Sequence, residues 1–194
     1  MTQTASLTFA INSLEGGGAE KVFCRVIDGV VERLPNISSR LVLLDNAPEA
    51  HLPSADIEIV RLGCGGGFAT SARKFRTSLA HCPPTVCLSF LTRANCANIL
   101  AARKTGHSSI ISERVATSSH LGSSPKGIVL KQFIRLLYPR ADRLIAVSEG
   151  VARDLVNNFG LSGAKIDVIY NPVDVEHLTK MSREYPEFCP ERNF

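Results

Sequence analysis

Three consecutive glycines, Gly16, Gly17 and Gly18, point most directly to chemistry in this 194-residue chain. Glycine lets a backbone turn sharply and come close to a bound anion. The residues before the triplet place apolar side chains on alternate positions (Leu7, Phe9, Ile11), the period of a strand. Those after it step by four (Val22, Val26, Val30, Leu34), the period of a helix. A helix that starts at such a turn aims its unpaired N–H groups and the positive end of its dipole at whatever sits there. Residues 6–34 therefore predict a strand, a glycine turn and a helix able to hold a phosphate or carboxylate. The plainer alternative is a tight turn without a ligand, because a lone glycine loop is a weak signal.

Other chemistries fit less well. A dinucleotide fingerprint needs G-x-G-x-x-G and an acid closing the second strand. Asp45 stands where the acid belongs, but Lys21 takes the place of the third glycine, so nicotinamide binding is a weaker alternative. No Gly-Lys-Ser/Thr occurs anywhere, which excludes a P-loop. Ala146-Val147-Ser148-Glu149-Gly150 approximates the G-x-S-x-G elbow of a serine hydrolase, with Asp154, Asp167, Asp174 and His177 after it. Ser148 is equally where a helix N-cap belongs. The five histidines are isolated and the six cysteines lack ligand spacing, so no metal site is predicted. Asp56 and Glu58 read as a solvent-facing pair on one strand.

The elements that must position these residues follow from periodicity. Further strands are predicted at 38–46, 57–62, 85–90, 109–113, 142–147 and 165–170. Helices fall at 69–81, at 93–104, from Pro125 to about 138, and at 149–159, where Gly160 closes the last. Residues 116–124, with His120 among them, read as a polar loop. Strands alternating with helices, several strands apolar throughout, predict an α/β fold: a Rossmann-like, doubly wound, mostly parallel sheet of about seven strands.

Composition bounds the class. An apolar fraction of 44% and a charged fraction of 21% suit a globular domain, and 194 residues suit one such domain. No stretch approaches the roughly 18 apolar residues of a membrane span, and MTQTASLTF does not read as a signal peptide. Cysteines without a C-x-x-C pair fit a reducing, cytoplasmic setting. The net charge of +4 is unevenly spread. Residues 61–143 carry 13 basic and 2 acidic groups, whereas both flanking segments are net acidic. From Lys126 to Arg140 the basic residues accompany Ile128, Leu130, Phe133 and Leu137. That pattern suits either peripheral contact of 126–140 with the inner face of a membrane or a core helix with a solvated basic edge.

Taken together, GGGAEKV, LSFLTRANCANI, IISER and above all YPRADRLIAVSEGVARDLVNNFGLSGAKIDVIYNPVD resemble the N-terminal, acceptor-side domain of family 4 glycosyltransferases. The resemblance implies a GT-B architecture, with residues 1–174 as one Rossmann-like domain. Residues 175–194 are then a truncated interdomain linker and tail, without a second domain. It implies that Gly16, Gly17 and Gly18 close on the phosphates of a nucleotide-sugar donor, where backbone amides stabilise the departing diphosphate. It implies no metal or other cofactor, no nucleic-acid partner, and a saccharide or lipid-linked glycan as acceptor. Arg93, Asn95 and Arg114 become acceptor-side candidates, and Glu113 and His120 catalytic ones. Ser112-Glu113-Arg114 resembles the family's S-E-R motif, commonly followed by asparagine, where this chain has Val115. A complete enzyme would transfer a sugar, and this chain alone is expected to be inactive. The alternative is a non-catalytic module that binds acceptor or membrane.

Overall fold

A computed structural model describes residues 5–120, 124–173 and 175–184, with the side chains of 119, 120 and 176–178 outside the description. In chain order the elements are β1 (Ser6–Ile11), α1 (Gly18–Arg33), β2 (Ser38–Leu43), β3 (Glu58–Arg61), α2 (Phe68–His81), β4 (Val86–Phe90) and α3 (Thr92–Thr105). There follow β5 (Ser108–Glu113), the four-residue α4 (Thr117–His120), α5 (Pro125–Leu137), β6 (Arg143–Ala146), α6 (Glu149–Phe159), β7 (Ile166–Val168) and α7 (Val175–Glu184). The seven strands form one sheet in the order β3-β2-β1-β4-β5-β6-β7, every neighbour parallel. This is the doubly wound fold expected from the sequence.

Alternation along the strands sorts the core onto two faces. Phe9, Ile11, Leu41, Leu43 and Phe90 meet Phe23 and Ile27 of α1. Phe23 sits edge-on to Phe9, with ring centroids 6.1 Å apart, and tilts against Phe90 at 4.6 Å. On the opposite face Ala10, Val42 and Cys87 meet Phe75 and Leu79 of α2 and Ala94, Ala97 and Ala101 of α3. Small residues let α3 lie close to both the sheet and α2. It is buried over most of its circumference, which is why it lacks a clear polar face. Its two buried asparagines are fully used. Asn98 Nδ2 donates to the Cys87 and Ile110 carbonyls and to Ser89 Oγ, stitching β4 to β5.

Local signals behave as their chemistry dictates. Ser124 Oγ accepts from the Gly127 N–H at 3.1 Å, with Pro125 in the first turn of α5. Gly160 closes α6 in the left-handed region at φ 68°. One expectation is corrected: residues 117–120 are helical, not loop. Asp154 of α6 accepts from both the backbone N–H and the hydroxyl of Ser118, capping α4 from a distance of 36 residues in sequence. No local pattern encodes such a cap. Cys24, Cys87 and Cys96 are buried free thiols whose ionisation burial opposes. No helix among the described residues is long and apolar enough to cross a membrane.

Candidate functional site

The strand order reverses between β1 and β4, so the segments leaving these neighbouring strands diverge to opposite faces. A doubly wound sheet opens its ligand crevice at that point, outside the carboxyl ends of the strands. The glycine triplet lies here. Gly16 has φ 127°, a conformation that side chains resist, and a Cβ on it would stand 3.1 Å from the Ala50 Cβ. Gly17 is the N-cap of α1, supplies no capping side chain, and has the Glu20 carboxylate folded over it. Gly18 opens the helix, and a Cβ on it would meet nothing within 4 Å. All three glycines are exposed. The amino end of α1 therefore presents its first amides to the crevice without a capping hydrogen bond from its N-cap residue, and with the Glu20 carboxylate beside them.

These geometries separate the three positions. Gly16→Ala should destabilise the fold by about 1–2 kcal/mol through its positive φ. Gly18→Ala should be neutral or stabilising by up to about 1 kcal/mol, because alanine is the better helix former. Urea unfolding of the two variants checks this, and equal losses would contradict the geometry.

Across the crevice, Leu91 follows β4 with φ 73° and ψ 145°, the one non-glycine among the described residues with positive φ. Such a conformation costs of order 1–3 kcal/mol and concentrates at functional turns. It launches α3, so that Arg93 projects to Asp45 at the end of β2. Arg93 Nη1 donates to Asp45 Oδ1 at 3.2 Å and to Ser71 Oγ at 3.0 Å, and Nη2 donates to Asp45 Oδ2. Asp45 also accepts from the Gly66 N–H at 3.1 Å. The Arg93 hydrogen bond, first among its causes, holds the Asp45 carboxyl below the usual aspartate range. Both Asp45 oxygens are engaged inside the protein, so the acid that nicotinamide binding needs for a ribose is already taken.

At the end of β5, Glu113 is 1% exposed. It accepts from Tyr138 Oη, from Asn95 Nδ2 at 3.1 Å, from Thr117 Oγ1 at 3.3 Å and from Thr92 Oγ1 at 3.5 Å. Burial pushes its pKa up, and these four donors pull it part of the way back. Asn95 is fully buried, donates also to the Ser112 carbonyl and accepts from Ser89 Oγ. Glu113 and Asn95 thus lie beneath the edge and brace it, instead of facing a ligand.

Arg114 is different. Its guanidinium stacks 4.5 Å from the centroid of the Phe90 ring. It donates to Ser112 Oγ at 3.4 Å and to Asn171 Oδ1, while its Nε is buried with no hydrogen-bond partner. Among the described residues no carboxylate lies within ion-pair distance of it. Burial alone lowers its pKa to about 10, so it stays charged at neutral pH. A half-buried cation with no counter-ion among the described residues, at the carboxyl edge, is suited to receive an anion.

The structure therefore brings Gly16–Gly18, Arg93 and Arg114 to one edge of the sheet. The His120 side chain and Asp174 lie outside the described residues. Ser148 caps α6, accepting from the Val151 N–H at 3.2 Å, as its N-cap reading expects. Among the described residues no three His, Cys, Asp or Glu side chains gather as metal ligands would. Sequence reasoning missed Phe90 as the platform for Arg114, and Tyr138 as a partner of Glu113. Phe90 and Tyr138 look like ordinary core residues in an apolar pattern, and nothing local marks their pairing.

Fold and edge define a doubly wound α/β domain that can receive an anion at its strand-order reversal. The model for Glycosyltransferase Family 4 matches residues 51–177, and the chain belongs to that family. A Campylobacter jejuni N-acetylgalactosamine-N,N'-diacetylbacillosaminyl-diphospho-undecaprenol 4-alpha-N-acetylgalactosaminyltransferase is 28% identical, the match covering 90% of this chain and 50% of that protein. The apo form of the lipopolysaccharide outer core galactosyltransferase WaaB superposes with a TM-score of 0.67 at 19% identity, over 88% of this chain and 46% of that one. Anabaena Alr3699/HepE in complex with UDP and glucose superposes at 0.63 and 17% identity, over 93% and 50%. The chain spans about half the length of these relatives. Its fold is that of one Rossmann-like half of a GT-B glycosyltransferase, as the motifs implied.

Proposed function

We propose that this domain is the acceptor-side half of a transferase that moves a sugar from a nucleotide diphosphate to a saccharide or lipid-linked glycan. The exposed amino end of α1 at the strand-order reversal, in a chain of family 4, is the observation that carries this reading. In it, the amides after Gly17 meet the donor diphosphate and strengthen their hold as negative charge builds on the leaving group. Arg114 adds a fixed positive charge on the same edge, pre-oriented by Phe90 and Asn171. Charge neutralisation is assigned to these groups, without a divalent cation. Glu113 acts as a positioning residue: by fixing Tyr138, Asn95 and Thr92 it holds the strand end that presents Arg114.

A lipid-linked acceptor is favoured because the Campylobacter jejuni relative's name specifies a diphospho-undecaprenol substrate. Peripheral contact of residues 126–140 with the inner leaflet would keep the crevice close to such an acceptor. The test is a titration of the isotopically labelled chain with uridine diphosphate, followed by amide NMR. Shifts should concentrate at residues 16–20 and on the Arg114 side chain, and should vanish in Arg114→Met. A titration that moves neither group would overturn the reading.

A further inference from the structure

We infer that the segment joining β2 to β3, residues 44–57, is a strut that fixes the glycine turn in its anion-binding shape, with Ala50 and Asp28 as its positioning residues. It rests on the diphosphate reading for what the turn binds, and adds how the turn is held. Parallel neighbours need a crossover connection, which is normally a helix. Between β2 and β3 the chain crosses without one. Irregular connections of such length are uncommon in compact domains and usually carry function. This one is tied to the chain before, at and after the glycine turn. The Ala50 N–H donates to the Leu14 carbonyl at 2.8 Å, and the His51 N–H to the same oxygen at 3.4 Å. Leu14 is fully buried, so that carbonyl is a firm anchor. The Ala50 methyl lies against Gly16, 3.1 Å from where a Cβ on that glycine would stand. Farther on, the Ala55 N–H donates to Asp28 Oδ1 of α1 at 2.8 Å. From the β3 side, Arg61 donates to both Glu49 oxygens, at 2.7 and 3.0 Å, and so steadies the residue before Ala50.

Length makes these ties act together. The helix rises about 15 Å between Gly18 and Asp28. The stretch from Ala50 to Ala55 can span at most about 18 Å. Pro53 locks its own φ and drives Leu52 toward an extended conformation. The strut therefore has little slack, and releasing it at Asp28 is felt at Gly16. The turn needs such support from outside. Three consecutive glycines have no side chains to hold them and the most backbone freedom to lose, and Gly17 brings no capping bond of its own. An anion site works by holding its donors in place before the charge develops. Ala50 and Asp28 supply that order without touching the ligand.

Amide hydrogen exchange of the full chain, without ligand, reads the strut directly. The reporters are the Ala50 N–H and the Lys21 N–H, which donates to the Gly17 carbonyl at 3.2 Å. In Asp28→Ala both should exchange about tenfold faster relative to the amides of β1, as expected when one hydrogen bond is lost and the segment opens locally. Referring the rates to β1 separates local loosening from a general loss of stability. Asp28→Asn keeps an acceptor for Ala55 and should restore the wild-type rates. Ala50→Gly, which removes the contact with Gly16, should quicken Lys21 as well. Affinity for uridine diphosphate, read from the same NMR titration, should fall severalfold in Asp28→Ala and in Ala50→Gly. Charge alone predicts the reverse for Asp28→Ala, because removing a negative group favours an anion. Unchanged exchange at Ala50 and Lys21 in Asp28→Ala would overturn the proposal. So would diphosphate binding that stays equal or tightens while those amides loosen. Should the wild-type chain ignore uridine diphosphate altogether, the exchange rates still judge the strut, and the diphosphate reading alone falls.

Discussion

Replacing Glu113 with leucine is expected to cost the fold about 3 kcal/mol, while glutamine costs about 1 kcal/mol at acid pH and less as pH rises. The leucine variant removes a buried carboxyl but leaves the Tyr138 hydroxyl and one Asn95 N–H without acceptors in a region closed to water. An orphaned buried donor costs about 1–3 kcal/mol, and two are created together. Glutamine keeps one oxygen for those donors and offers Thr117 an N–H in place of the second.

The pH dependence carries the sharper test. Burial raises the Glu113 pKa above the ordinary 4.5, so the folded chain keeps this proton to higher pH than the unfolded chain does. Where the folded state holds more protons, stability falls with rising pH. Glu113 therefore withdraws stability from the wild type as pH climbs upward from about 4.5, a slope that glutamine cannot have. Urea unfolding across that range should show the gap between wild type and Glu113→Gln closing toward neutrality. Parallel curves would mean that the four donors fully compensate burial.

How much of this site the sequence discloses depends on whether an interaction is local. The glycine triplet, the Ser148 cap, the Gly160 stop and the seven strand periods each depend on a few consecutive residues, and all appear where the pattern places them. Arg93, Asn95, Glu113 and Arg114 are legible as polar residues at strand and helix ends through their resemblance to family motifs. Their division of labour is not. Arg93 meets Asp45 across 48 positions, and Tyr138 meets Glu113 across 25. Which of two neighbouring polar residues is buried and which faces the crevice follows from strand alternation and from β4 lying between β1 and β5. That order arises from the crossover, a global property. Glu113 and Arg114 are adjacent in sequence and lie on opposite sides of that decision.

Breaking the ion pair at the end of β2 gives the other large effect, with the opposite pH signature. Asp45→Ala should destabilise the domain by about 3 kcal/mol, because it strands a guanidinium whose side chain is 10% exposed, with Ser71 as its remaining partner. Arg93→Met costs less, since Asp45 at 21% exposure can rehydrate and keeps the Gly66 N–H. The double variant should recover part of the sum, and a double-mutant cycle would measure the coupling directly. The Asp45 pKa is depressed below the ordinary 3.8, first by the Arg93 hydrogen bond, so its stabilisation is present above that value. It is lost as pH falls below it. Wild type should therefore lose stability toward acid in a range where Arg93→Met, already without the pair, loses little. The same pair bears on ligand choice, because Asp45 draws Arg93 away from the crevice and leaves Arg114 as the cation that, among the described residues, has no carboxylate partner at that edge. If so, Asp45→Ala frees a second cation and should tighten diphosphate binding even as it weakens the fold. Stability and affinity moving together would instead mean that the pair, and not Arg114, shapes the site.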